Sequence, residues 1–252
     1  RDGPVFLAGD AAHEMPPTGG FGLNTGVQDV HNLAWKLGAV LHGMANEALL
    51  DSYDAERRPL AETITRNALA NALSMGRTTR QSSAVLPRRE FLNEQGLIFG
   101  ASYTSTAVVP DGTEPVAVGD PVTDYVPSAR PGSRAPHVWL QRGEERLSTI
   151  DLVGPHFLLL AGREGSAWRE AARRIALAAY TIGQGGDLTD PDGNWHEVYG
   201  VGADGAVLIR PDGYVAWRRA AGAPECDRVL KAAIDGILGH ARRAAGAVLT
   251  EA

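Results

Sequence analysis

The stretch that most constrains this chain lies at its start. It runs Val5-Phe6-Leu7-Ala8-Gly9-Asp10-Ala11-Ala12-His13, then Pro16-Pro17-Thr18-Gly19-Gly20-Phe21-Gly22-Leu23-Asn24-Thr25-Gly26. Val5 to Ala8 is an apolar run that reads as a short buried strand. Asp10 stands just past its end, where open α/β sheets place ligand-binding groups. Two prolines fix φ in the loop that follows, and Gly19, Gly20, Gly22 and Gly26 let the backbone approach another group closely. From Leu23 the pattern turns helical, so the free N–H groups of the first turn point back at the loop. Such a terminus carries roughly half a positive charge and favours an anion or an electron-rich ring edge. The same order of elements also describes an ordinary α/β turn. It is not a dinucleotide fingerprint: after Gly20 and Gly22 the third glycine falls one place late for G-x-G-x-x-G, and no strand leads directly into it. His13 stands alone and reads as a packing or hydrogen-bonding residue of the loop.

Taken together, Gly9-Asp10-Ala11-Ala12-His13, Pro16-Pro17-Thr18-Gly19-Gly20, Gly22-Leu23-Asn24-Thr25-Gly26 and Gln28-Asp29 closely resemble a known motif. It is the second flavin-contacting motif of the class A flavoprotein aromatic hydroxylases, the p-hydroxybenzoate hydroxylase-like monooxygenases that include phenol and polyketide hydroxylases. The resemblance continues through His31-Asn32-Leu33-Ala34-Trp35-Lys36-Leu37 and Leu50-Asp51-Ser52-Tyr53 to Glu56-Arg57-Arg58-Pro59. It implies FAD as cofactor and NAD(P)H as electron donor. The implied reaction is hydroxylation of a small phenolic or polyketide substrate through a flavin C4a-hydroperoxide. Asp10 would hold a ribityl hydroxyl, and Pro17, Gly19 and Gly20 would lie along the isoalloxazine ring. The amides of Gly22, Leu23 and Asn24 would face the N1/C2=O edge, where negative charge gathers in reduced flavin. The oxygen chemistry would belong to flavin, so no catalytic side chain is assigned. In that family a G-x-G-x-x-G for the ADP half precedes the Gly-Asp pair; none follows a strand here. The sequence therefore reads as the C-terminal part of a longer monooxygenase, inactive by itself. The competing reading is a non-catalytic scaffold or oligomerisation module with a severed flavin half-site.

Composition narrows the classes. At 252 residues and 44% hydrophobic content the chain is globular, with room for one large or two ordinary domains. It has no apolar run long enough to span a membrane, and a net charge of −6 argues against nucleic-acid or anionic-membrane partners. The single Cys226 excludes an intrachain disulfide framework and suits a cytoplasmic protein. A homodimer is the partner state considered. No H-x-x-x-H or H-E-x-x-H spacing supports a metal site, and no G-x-S-x-G elbow occurs. The acidic loop 187–193 misaligns with an EF-hand, putting Leu188 and Tyr199 at its first and last ligand positions.

Along the chain, Leu23, Val27, Val30, Ala34, Leu37, Leu41 and Met44 recur at helical spacing and predict an amphipathic helix over 23–45. Asn24 or Thr25 is its cap and Gly43 its end. A second helix is predicted over 49–75, interrupted at Pro59. Its Glu56-Arg57-Arg58 cluster suits either an anchor for phosphate or carboxylate or ion pairs between helices. Residues 76–135 look irregular, with a proline-rich linker from Gly119 to Pro136 and a domain boundary near 105, separating 1–104 from 105–252. Beyond it, strands are predicted at 137–140, 147–152, 157–161 and 180–182, with helices over 166–179, capped by Ser166, and 225–245. A hairpin joins 206–210 to 214–218 around Pro211-Asp212-Gly213. The fold class is α/β (α+β): a largely helical part of an FAD-binding domain, then an α/β domain that resembles the thioredoxin fold. With no C-x-x-C, that domain lacks the dithiol of redox thioredoxins. The five tryptophans read as core.

Overall fold

The computed structural model describes residues 1–77 and 94–240. The polar stretch 76–83 falls largely outside them, as does the end of the predicted last helix.

No strand forms at Val5–Ala8. An isolated bridge joins Asp2 to Val5, Val5 and Leu7 are 57% and 53% exposed, and the chain enters a single 3-10 turn at Gly9–Ala11. A strand needs a neighbour for its N–H and C=O groups. Neither sheet among the described residues runs beside this segment.

Helix α1 spans Phe21–Leu41 and is entered through Gly20, whose φ of 70° is left-handed. Asn24 and Thr25 are therefore not caps. They lie within the helix, and the Asn24 side chain donates back to the Gly20 carbonyl at 3.0 Å. The start moves two residues earlier because Phe21 is drawn into a cluster with Ile64 and Leu97. Gly43 ends the helix as predicted: the amides of Gly43 and Met44 bond the carbonyls of Val40 and Ala39 at 3.0 and 2.8 Å. The apolar stripe is present but faces outward. Leu23, Val27, Val30, Leu41 and Met44 are all more than half exposed, whereas Thr25, Asp29, Asn32 and Lys36 on the other side are buried.

That polar side meets α2, which runs unbroken over Asp51–Arg77 after a 3-10 turn at Glu47–Leu50. The predicted interruption at Pro59 does not occur. Proline leaves the Ala55 carbonyl without its helical partner, but both residues are exposed, so water can replace the missing amide. A short helix α3 follows at Gln95–Phe99.

Strands β1 (Trp139–Arg142) and β2 (Glu145–Ser148) form an antiparallel pair with Leu140 opposite Leu147. β2 stops at Ser148 because Ser148 and Asp151 make a capping box over the 3-10 turn Thr149–Leu152. The main sheet follows from β3 (Leu158–Gly162), α4 (Ser166–Arg174), β4 (Ala178–Ile182), α5 (Trp195–Tyr199), β5 (Ala206–Ile209), β6 (Val215–Arg219) and α6 (Cys226–Ile237). Its order is β4-β3-β5-β6. β3 is parallel to β4 and antiparallel to β5, and β5 is antiparallel to β6. This is the thioredoxin-like arrangement. α4 is shorter than predicted and follows Gly165, not a Ser166 cap; Ala176, at φ 54°, lies just past its end.

Every residue of β3 is buried, which explains its unbroken apolar run. Leu158 and Leu160 pack with Trp195, Tyr199 and Val207, while Leu159 and Ala161 pack with Trp168, Leu208 and Leu230. Ala39, Ala45 and Leu49 join the second cluster, seating the end of α1 against the sheet. The segment 119–136 has no helix or strand, yet it is not a free tether. Gly132 and Ser133 exchange backbone hydrogen bonds with Val215, and the Ala135 amide bonds Gly213. In the acidic loop, Asp187 accepts from the Thr181 amide and hydroxyl, and Asp190 accepts from the amides of Gly193 and Trp195. These carboxylates are engaged by the chain itself.

Candidate functional site

The glycine loop is fixed from below and open above. Asp10 lies in the 3-10 turn with its side chain exposed and without a hydrogen bond or ion pair among the described residues. Pro17, Gly19, Gly20, Leu23 and Asn24 are exposed and Gly22 is half-buried. Thr18 donates to the Ala68 carbonyl of α2 at 2.6 Å, and Phe21 is buried. The Gly9 amide and His13 Nε2 both bond Asp29 Oδ2, at 3.1 and 2.5 Å. A carboxylate only accepts, so His13 carries its proton on Nε2. His13 is thus a hydrogen-bonding residue of the loop. Gly9 also packs on Gly26: a Cβ at Gly26 would lie 3.1 Å from the Gly9 Cα. That contact brings the Asp10 turn against α1 near its N-terminus.

The predicted residues are therefore brought to one side of the molecule. An exposed carboxylate can accept from a ligand hydroxyl. The first amides of a 21-residue helix have no intrahelical acceptor and can donate to an electron-rich ring edge. Without side chains at Gly19, Gly20 and Gly22, a flat ring can approach the backbone.

A buried charge network joins α1 and α2 to the β5–β6 turn. Glu56 Oε1 accepts from Arg210 Nη1 at 2.6 Å and Ser105 at 2.5 Å. Its Oε2 accepts from Arg210 Nη2 at 2.8 Å, Lys36 at 2.8 Å and Asn32 at 2.7 Å. Arg210 also pairs with Asp212, and Asn32 reaches Asp212 at 3.1 Å. Side chains of Lys36, Glu56 and Arg210 are fully buried. Burial opposes ionisation of Glu56 more than any other single influence. Arg210, and then Lys36, together outweigh it and hold the carboxyl well below the usual carboxylate range. Burial pulls Lys36 down to about 8 despite the attraction of Glu56, with Arg210 adding to the depression.

Of the cluster weighed as an anion anchor or an ion-pair site, Glu56 and Arg57 make buried pairs with α1. Arg57 Nε bonds Asp29 Oδ1 at 2.8 Å. Arg58 stays exposed beside Glu62 on its own helix. Sequence reasoning places Asp29 within the motif but gives it no role, and it does not single out Tyr103, Arg210, Asp212 or Tyr214 as site residues. One signal was available: Thr25, Asp29, Asn32 and Lys36 repeat at helical spacing opposite the apolar stripe.

Comparison with known proteins gives two profile matches: an FAD binding domain at residues 1–68 and the aromatic-ring hydroxylase C-terminal region at 128–241. Among curated relatives, tetracenomycin A2 monooxygenase-dioxygenase of Streptomyces glaucescens is 42% identical, over 100% of this chain and 44% of its own length. A putative polyketide hydroxylase of Streptomyces halstedii is 46% identical, over 86% of this chain and 41% of its own. Among solved structures, the flavin-dependent monooxygenase PieE, in complex with FAD and substrate, superposes with a TM-score of 0.83 at 35% identity. That match covers 95% of this chain and 48% of PieE. Aklavinone-11 hydroxylase, in a ternary complex with FAD and aklavinone, gives 0.79 at 41% identity, covering 95% and 44%. The chain spans less than half the length of these relatives.

Proposed function

This chain belongs to the FAD-dependent aromatic-ring hydroxylases, and from that premise we propose that it forms the ribityl-and-ring side of the flavin site in a longer monooxygenase. The observation that carries the reading is Asp10: exposed, unpaired among the described residues, and held beside the N-terminus of α1 by Gly9, Gly26 and Asp29. In this reading Asp10 accepts from a ribityl hydroxyl. Pro17, Gly19 and Gly20 line the ring, and the amides of Gly22 and Leu23 face its electron-rich edge; the Asn24 amide, four residues past the Gly20 cap, is already engaged within α1. Bound FAD, reduced by NAD(P)H, would supply the activated oxygen placed on a phenolic or polyketide ring. The chain's own residues orient the flavin and set its electrostatic surroundings. Polyketide hydroxylases among the relatives support that substrate class.

Two outcomes test this. The 252-residue chain alone should bind FAD more weakly than micromolar, because no strand leads into a G-x-G-x-x-G for the pyrophosphate: the one such spacing, Gly200-Val201-Gly202-Ala203-Asp204-Gly205, follows helix α5 and enters strand β5. Submicromolar affinity by calorimetry would refute that part. In the FAD-loaded enzyme, Leu23→Asp should lower the flavin potential, since a negative charge enters beside the edge that becomes anionic on reduction. Leu23 is 80% exposed, and an acidic residue in the first turn suits the helix, so the fold should tolerate it. Each ~1.4 kcal/mol lost by the two-electron couple is about 30 mV. A potential unchanged or raised in spectroelectrochemical titration would contradict the assigned role of the helix terminus.

A further inference from the structure

We propose that Asp29 is a positioning residue for the Asp10 turn, and that Arg57, Tyr103 and Tyr214 link its placement to the C-terminal sheet. The inference rests on the flavin reading above, and deepens it.

Asp29 is 1% exposed and divides its two oxygens between two tasks. Oδ2 faces the loop, taking the Gly9 amide and His13 Nε2; Oδ1 faces α2, taking Arg57 Nε. Gly9 is in left-handed backbone at φ 60°, and its carbonyl accepts from the amides of Ala12 and His13 at 2.8 and 3.0 Å. The chain is therefore gripped on both sides of Asp10, at residues 9 and 13, by one carboxylate. Arg57 in turn is spread over three further acceptors: Tyr103 Oη at 2.9 Å, the Thr25 carbonyl at 3.2 Å and Gln28 at 3.3 Å. The Tyr103 ring stacks on Tyr214, with centroids 4.0 Å apart and planes 23° apart. Tyr214 lies between β5 and β6, and its carbonyl bonds the Arg210 amide at 2.8 Å. A continuous set of contacts thus runs from the exposed turn to the β5–β6 hairpin.

Replacing Asp29 by asparagine separates positioning from simple charge balance. Arg57 only donates, so the side-chain carbonyl of the asparagine would turn toward it and keep that bond. The amide group would then face Gly9 N–H, two donors head to head, and the turn would lose its anchor while α2 kept its own. In the 252-residue chain, Asp29→Asn should speed hydrogen exchange of the Gly9 amide about tenfold or more, with the Arg57 Nε proton still protected. In the FAD-loaded enzyme it should raise the FAD dissociation constant about tenfold. Because Asp29 acts through Asp10, the double variant Asp10→Ala with Asp29→Asn should bind FAD no more weakly than Asp10→Ala alone. Tyr103→Phe, which removes one Arg57 acceptor, should shift affinity in the same direction by less. Should Asp29→Asn not fold, His13→Ala removes a partner of the same oxygen and should be equally non-additive with Asp10→Ala. Additive losses, or unchanged Gly9 exchange in Asp29→Asn, would overturn the proposal. If Asp10→Ala itself leaves FAD affinity unchanged, the flavin reading fails, while Gly9 exchange still decides whether Asp29 sets the turn.

Discussion

Glu56→Gln is expected to lower the stability of this chain by about 3–5 kcal/mol, the range seen when one partner of a buried ion pair is removed. Its carboxylate receives five hydrogen bonds from Arg210, Lys36, Asn32 and Ser105. Glutamine would leave Lys36 and Arg210 buried with Asp212 as the remaining carboxylate of the cluster, and would turn an amide donor toward groups that only donate. For a chain of this size, the midpoint of thermal unfolding should fall by about 10 °C. Lys36→Met in the Glu56→Gln background should recover part of the loss, because it removes one uncompensated charge. The pH dependence follows from the same pairing. The Glu56 carboxyl lies below its unfolded value of 4.5, so its contribution is complete above that pH and is lost as the pH falls below it. Lys36 is depressed from 10.5 to about 8, so the unfolded chain holds more protons between those values and stability gains from this group as the pH rises through them. Denaturant unfolding of wild type and Glu56→Gln from pH 3 to pH 9 should show the acid limb becoming shallower in the variant. A stability within about 1 kcal/mol of wild type at pH 7 would contradict the network's role.

The same network explains where sequence reading succeeded and where it stopped. The β5–β6 hairpin was legible because Pro211-Asp212-Gly213 sits between two apolar runs, and β3 because a strand buried on both faces reads as continuous Leu and Ala. Both signals are local. The outward orientation of α1 was not legible. Periodicity shows that a helix has an apolar side, not which side its neighbours take. Here the polar side won, because Asp29, Asn32 and Lys36 find partners at Arg57, Glu56 and Asp212, one of them 180 residues away in sequence. Val5–Ala8 failed as a strand for a related reason: β pairing is a property of two segments, and the second is absent among the described residues. At the site, glycine and proline spacing gave the loop and Asp10. The burial of Asp29, which anchors the loop, became apparent only when Gly9, His13 and Arg57 were seen to converge on it.

Asp10→Ala should weaken FAD binding by about ten- to a hundredfold in the enzyme that carries this chain. A hydrogen bond accepted by a carboxylate contributes about 1.5–3 kcal/mol, and each 1.4 kcal/mol is roughly tenfold in affinity. The effect should fall on binding and not on the oxygen chemistry. Asp10 would touch the ribityl chain, remote from the reacting part of the flavin, and no side chain of this segment is assigned an acid or base role. The side chain is exposed and makes no hydrogen bond within the described residues, so its removal should leave the fold intact. The most direct test is a titration of apoenzyme with FAD, wild type against Asp10→Ala, followed by turnover normalised to bound flavin. The account predicts a dissociation constant raised about ten- to a hundredfold, with turnover per bound flavin close to wild type. Unchanged FAD affinity in a correctly folded Asp10→Ala protein would contradict the placement of the flavin on this loop.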